Sequence, residues 1–340
     1  MKSFVQEQLR KKQLFFFAVI ILLIMVVFFY SMNTGFTSLS PIEVIQTFVG
    51  MGDTQSSLIL FEFRLPRIVL ALLVGACLAI SGCILQGVSR NSLADPGILG
   101  ITTGAGLFVV LYISYSSSFE AASAFTLPFL ALLGGSITAF LIYVLSYEKN
   151  VGLLPYRMIL NGIAIAAGIS ALMTILMLRL APEQYSFVAV WLAGRISGST
   201  WNEVLSLLPW FLILFTVVMF RARDLDTLAF GDKMATGLGV TVEKERIILT
   251  VSAVALAAAG VSVSGGIGFV GLIAPHLARR LVGSQHVMVL PASALLGGLL
   301  LLTADTIGRS IIEPSEIPAG VVVAVIGAPY FLYLLARQKA

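Results

Sequence analysis

Two arginines three residues apart, Arg64 and Arg67 of the stretch RLPR, stand directly before IVLALLVGACLAISGCIL, one of the least polar runs in the chain. At that spacing they share a helix face, and Pro66 suits the first turn of the helix. A helix N-terminus disfavours cations, so local energetics does not explain the pair; snorkelling to lipid headgroups is the plain alternative. Asp305 is the one carboxylate set inside an apolar run. An unpaired acid at the bilayer centre costs about 2.5–3.5 kcal/mol or more, which makes it a candidate for ion coupling. Arg309, one turn later, offers a structural account as an i,i+4 partner. Asp95 falls at an expected helix start, where a carboxylate is favourable for local reasons.

Other reactive residue types are sparse. His276 and His286 are isolated from any Cys/His/carboxylate spacing typical of a metal site, and His276, beside Pro275 and Arg279, reads as an interfacial packing residue. Cys77 and Cys83 are six residues apart in one helix, about 9 Å of rise, beyond the ~7 Å Cα separation that a disulfide allows; they read as small apolar fillers. No G-x-x-x-x-G-K-[ST] loop occurs, so the chain does not itself bind and hydrolyse ATP in that manner, and no acid/base constellation supports an enzyme.

The elements that must hold these residues are membrane spans. The 340 residues are 58% hydrophobic and 11% charged, with a mean hydropathy of +1.00, against about half apolar and a quarter charged for soluble domains. One membrane domain is expected, an all-α polytopic protein with helices at 14–33, 64–86, 96–115, 126–146, 153–180, 201–221, 245–265, 272–283, 288–308 and 318–337. The segment 272–283 reaches only ~18 Å and is too short to span alone, so irregular backbone beside it must be enclosed by protein or line a water-filled cavity. Leu14–Tyr30 is longer than the apolar core of about 7–15 residues of a cleaved signal peptide and ends in bulky aromatics, so a retained first span is expected. With the N-terminus cytoplasmic, 16 of the 21 Lys and Arg fall on the cytoplasmic side, and the outside keeps only Arg64, Arg67, Arg179, Arg195 and Arg309. Acidic residues split eight to eight, as expected when only Lys and Arg follow the rule. Ten helices with both termini cytoplasmic, and RLPR facing out, is the consistent solution. Basic loops account for the pI near 9.1 without nucleic acid.

Two further patterns stand out. LAISGCILQG (78–87) and LAAAGVSVSG (256–265) share Leu, Ala, Gly and Gly at equal spacing, and LADPGIL (93–99) and LIAPHLA (272–278) share Leu and Pro. The copies run in opposite directions, an inverted duplication frequent in transporters; close packing through small residues is the alternative. Between the sixth and seventh expected spans, 221–246 is polar yet places Leu225, Leu228 and Ala229, then Met234 and Leu238, at helical spacing, broken by Gly231, Gly237 and Gly239. Helices shorter than ~12–15 residues are marginal alone in water, so this loop needs a surface to dock on, either its own membrane domain or a partner at the cytoplasmic face.

RLPRIVLALLVGACLAISGCILQGVSRNSLADPGILGITTGAG, GGIGFVGLIAPHLARRLVG, LPASALLGGLLLLTADTIGR and EIPAGVVVAVIGAPYFLYLL occur in that order from about residue 60 to 336. The chain thereby resembles the FecCD-type permeases of ABC importers for iron–siderophore complexes, haem and vitamin B12. The resemblance implies ten helices per subunit, a second permease subunit (identical or paralogous), two separate cytoplasmic ATPase subunits that use ATP and Mg²⁺, and an extracytoplasmic solute-binding protein, with no cofactor bound by this chain. It implies that Arg64, Arg67 and Arg309 are the outward arginines that dock acidic side chains of the binding protein, for which planar guanidinium is better suited than Lys. The paired coupling helices fall on 225–239, with Leu225, Leu228, Gly231, Met234, Gly237, Leu238 and Gly239 as the ATPase contact and glycine permitting close backbone approach. A short outer helix falls on 187–198. The expected function is import of a ferric siderophore driven by ATP hydrolysed in partner subunits. Haem or cobalamin is the alternative cargo, and an ion-coupled secondary transporter the alternative class.

Overall fold

The computed structural model describes residues 2–34, 40–97, 100–116, 125–149, 152–312 and 315–338. The first helix, α1 (Lys2–Asn33), is followed by α2 (Pro41–Phe48) and α3 (Thr54–Leu58), which continues through a π-helical turn (Ile59–Arg64) into α4 (Leu65–Ser89). Next come α5 (Ile101–Tyr115) and α6 (Thr126–Ser146), a small antiparallel hairpin of β1 (Tyr147–Glu148) and β2 (Gly152–Leu153), and α7 (Pro155–Met177). The remainder is α8 (Pro182–Leu192), α9 (Trp201–Phe220), α10 (Ala222–Ala229), α11 (Asp232–Gly237), α12 (Val242–Ser264), α13 (Val270–Val282), α14 (His286–Ile311) and α15 (Ala319–Gln338).

Eight described segments are long and apolar enough to cross a membrane. With α5 and α13 the total is ten. The expectation of one short helix is corrected to two, because α5 has 15 residues and α13 has 13, about 22 and 20 Å. Asp95 does not start α5: it lies in the preceding turn, where its Oδ1 accepts the Gly97 N–H at 2.8 Å, and the helix begins only after Gly100, at φ +67°. The outer short helix likewise begins earlier than expected, at Pro182 rather than residue 187.

α4 is the axis of the bundle. In its most apolar stretch 83% is buried, against 11% for α1 and α7, so the latter two present most of their surface to lipid or partners. In lipid the helices gain little from apolar burial and associate through close packing of small residues. A Cβ on Gly75 would lie 2.3 Å from the Gly297 carbonyl oxygen of α14, and one on Gly82 would lie 1.9 Å from the Gly271 oxygen of α13. Against α12, Ser81 Oγ donates to Ala253 O at 2.6 Å while Cys77 and Leu78 sit beside Gly260, so α4 and α12 run antiparallel. These helices carry the two copies of the sequence repeat. Each copy continues into a short helix that starts at a left-handed residue, Gly100 (φ +67°) before α5 and Phe269 (φ +65°) before α13. The irregular backbone before α13 is packed within protein: Gly265 and Ile267 are buried and the Gly266 N–H donates to Trp191 O.

The helices alternate between two sides. The hook side carries α10 and α11; there α1 begins, with Gln13 donating to Val282 O, and α15 ends, with Leu334 packed on Leu272 and Ile273. The opposite, rim side carries the end of α1, α2, the π-helical turn and α8. The rim segment 40–64 holds helices that hydropathy alone did not show. α2 is set by a reciprocal cap in which the Glu43 N–H donates to Ser40 Oγ and the Ser40 N–H to Glu43 Oε2.

Candidate functional site

On the hook side the chain leaves α9 at Arg221 and folds α10 back under the bundle. Ala222, Leu225 and Leu228 are buried, and Leu225 fills the space above Gly87 of α4, where a Cβ would come within 2.7 Å of Leu225 Cδ1. Asp226 accepts the His286 backbone N–H at 2.9 Å and pairs with His286 Nδ1 at 2.5 Å, joining α10 to the start of α14. Arg90, the left-handed residue that ends α4, donates Nε to Leu228 O at 2.9 Å and pairs with Asp232 of α11. Arg246 of α12 reaches the same carboxylate at 2.9 Å. Burial works against ionisation of Asp232, but the two guanidinium groups outweigh it and hold its carboxyl below the ordinary value. Arg221 completes the base through Glu245 of α12. The hook is therefore tied to α4, α12 and α14, the helices that form the middle of the bundle.

This arrangement divides the residues expected at the ATPase contact. Leu225 and Leu228 face the chain's own helices, a correction to the expectation that they point at a partner; a short amphipathic helix needs an apolar seat and finds one here on α4. Met234 and Leu238 are exposed, at 58% and 64%, and Phe230 joins them at 73%. Phe230 carried no signal in the sequence because it sits at the end of α10 without a periodic partner. Gly231 (φ +103°) and Gly239 (φ +87°) form the turns on either side of α11, and open space surrounds them and Gly237. Beneath the hook lies a cavity of about 650 Å³ lined by Gln86, Arg90, Asp226, Phe230, Arg279 and His286, among others.

On the rim side the three expected docking arginines come together but are not free. Arg64 is buried and donates to Met32 O, and Arg309 is buried and donates to Ser31 O at 2.8 Å, to Ser31 Oγ and to Thr34 O at 3.2 Å. Both therefore satisfy the last carbonyls of α1, which have no partner within the helix, and place positive charge at its negative end. Arg67, 13% exposed, reaches Asp305 with Nε (3.0 and 3.1 Å) and Nη2 (2.8 Å), and Glu316 with Nη1 (2.9 Å) and Nη2 (3.0 Å). Asp305 is thus held chiefly by Arg67 of α4; its expected partner Arg309 stands farther off, at 3.7 Å. Of the five basic residues placed on the outside by charge distribution, the exposed ones are Arg179 and Arg195.

A polytopic helical permease, built on antiparallel repeats and carrying a short two-helix hook seated on its central helices, is the class that this fold defines. The chain belongs to the FecCD transport family, whose model matches residues 22–337. It is 49% identical over 313 residues to the iron(3+)-hydroxamate import system permease protein FhuG of Bacillus subtilis (strain 168), covering 91% of this chain and 93% of the relative. It is 40% identical over 281 residues to the Fe(3+) dicitrate transport system permease protein FecD of Escherichia coli (strain K12), covering 83% and 86%. Among solved structures it matches a metal-chelate type ABC transporter in an inward-facing conformation with a TM-score of 0.81 and 33% identity, covering 95% of this chain and 99% of that one.

Proposed function

We propose that this chain is the membrane-spanning subunit of an ATP-driven importer that carries a ferric siderophore across the cell membrane. The observation that carries the reading is the hook: Phe230, Met234 and Leu238 expose apolar surface on helices whose bases are pinned by ion pairs to α4 and α12 and by the Asp226–His286 hydrogen bonds to α14. An ATPase seated on those side chains would move α10 and α11, and the pins would pass that movement to the repeated helices, biasing inward-facing against outward-facing packing. The assembly comprises a second permease subunit, identical or paralogous, two ATPase subunits that bind ATP and Mg²⁺, and an extracytoplasmic solute-binding protein. The hook side is cytoplasmic, in keeping with the 16:5 division of Lys and Arg, and both termini lie with it. Relatives named for ferric hydroxamate and ferric dicitrate support a ferric chelate as cargo.

For docking of the binding protein, Arg67 is the contact and Arg64 and Arg309 hold the scaffold behind it. Pairing of Asp305 with two arginines accounts for a buried acid without ion coupling, which favours the ATP-driven class over a secondary carrier. The test is reconstitution in vesicles. With the ATPase, the second permease subunit and the solute-binding protein, ferric hydroxamate should enter only with ATP and Mg²⁺. Uptake by the permease alone under a proton or sodium gradient would overturn the reading.

A further inference from the structure

An arginine guanidinium offers five N–H groups, and on Arg67 the chain's own acids take both edges. Nε and Nη2 go to Asp305, and Nη1 and Nη2 go to Glu316. A carboxylate arriving from another protein has no edge to bind unless one of these two leaves. Asp305 has a side-chain exposure of 2% and is fixed within α14, whereas Glu316 is 39% exposed and sits in the non-helical segment just before α15.

The neighbours of Glu316 lead outward. Ser197 lines the same small cavity as Glu316; burial works against ionisation of that carboxyl, but Arg67, with a smaller share from Ser197, holds it below the ordinary value. Arg195 Nε donates to Ser197 O at 3.1 Å and to its Oγ at 2.8 Å. Arg195 is exposed and, among the described residues, forms no ion pair with a carboxylate, although Glu203 lies within electrostatic reach. A small cavity of about 30 Å³ lies among Arg67, Arg195, Ser197, Asp305 and Glu316, room for about one water.

We propose that Glu316 is an internal stand-in for the docking carboxylate: an acidic side chain of the solute-binding protein meets Arg195 at the surface, then replaces Glu316 on the outer edge of Arg67. The inference rests on the docking reading above and adds to it the entry residue and the group displaced. Exchange of one carboxylate for another keeps both edges of the Arg67 guanidinium occupied throughout, whereas without Glu316 the outer edge would stand unpaired between docking events, with Asp305 alone holding the inner one. Affinity is correspondingly limited, because the partner gains only the difference between its own ion pair and the one that it displaces.

The complete transporter in lipid nanodiscs, titrated with the purified solute-binding protein of the same import system, tests this. Glu316→Gln removes the competing charge and leaves the Arg67–Asp305 pair in place. It should tighten docking by roughly tenfold, the scale of one charged contact at an interface, with an unchanged thermal midpoint. Glu316→Asp, which keeps the charge on a shorter arm, should fall between that variant and the native chain and serves as the readout should the amide variant lose stability. Arg195→Gln should slow association and flatten its salt dependence. Unchanged or weaker docking in Glu316→Gln and Glu316→Asp, with native binding intact, would overturn the stand-in role and leave the docking reading standing. Absence of binding in every form, including the native one, would overturn the docking reading and the inference with it.

Discussion

Arg64 and Arg309 donate to the last carbonyls of α1, and Arg67 bridges two acids; three side chains of one type on one side of the molecule do two kinds of work. The difference is one of partner. A helix end leaves carbonyls unsatisfied wherever it stops, and a buried guanidinium must find acceptors, so each solves the other's problem. Asp305 is buried and Arg67 only 13% exposed, and removing one member of a buried pair typically costs about 3–5 kcal/mol through the charge left behind. Asp305→Asn should therefore lower the thermal midpoint of the detergent-solubilised protein substantially, while the residual uptake keeps its pH and sodium dependence. A shift in either dependence would instead assign Asp305 to ion coupling.

At the scale of elements, two contacts decide how the helices meet. Gly82 of α4 approaches the backbone of Gly271 so closely that a methyl group would sit 1.9 Å from a carbonyl oxygen. Backbone cannot rotate aside as a flexible side chain can. Gly82→Ala should displace α13 from α4 at a cost of about 1–3 kcal/mol or more, read as a lowered midpoint and a smaller folded yield. The hook gives the second contact. Cysteine at Phe230 should crosslink to an ATPase subunit, and cysteine at Leu228, 1% exposed, should not. Equal crosslinking at both positions would mean that α10 detaches from its seat in the assembled transporter. The sequence placed both residues in the right loop but could not rank them, because helical spacing identifies an apolar face without showing what covers it.

Across the whole molecule, the pins at the hook's base connect a surface loop to the axis of the bundle. Arg90 ends α4 and Arg246 lies in α12, and both bind Asp232. Replacing both with Gln should separate hydrolysis from transport: ATPase activity of the assembled transporter persists while uptake per ATP falls on the order of tenfold, as expected when a coupling of one to a few kcal/mol between two sites is lost. Parallel assays of phosphate release and chelate uptake give this ratio directly, and an unchanged ratio would place the transmission path elsewhere.

The sequence by itself determined that the chain is a multi-pass helical membrane protein, together with the antiparallel repeat, the position of the hook and the family. Each of these depends on sums along the chain, whether of hydropathy over some twenty residues, of charge over loops, or of motif order, and such sums survive without knowledge of any contact. What it left undecided were pairings between distant residues. Arg67 and Asp305 are 238 positions apart, and Arg309 and Ser31 are 278 apart. Nothing local to either residue marks the other, so only the tertiary structure could turn arginines expected to face outward into capped and paired ones. The same holds for α5: it begins only after Gly100, and ahead of it Asp95 and Pro96 stand against Gly271 of α13, a contact that hydropathy does not register.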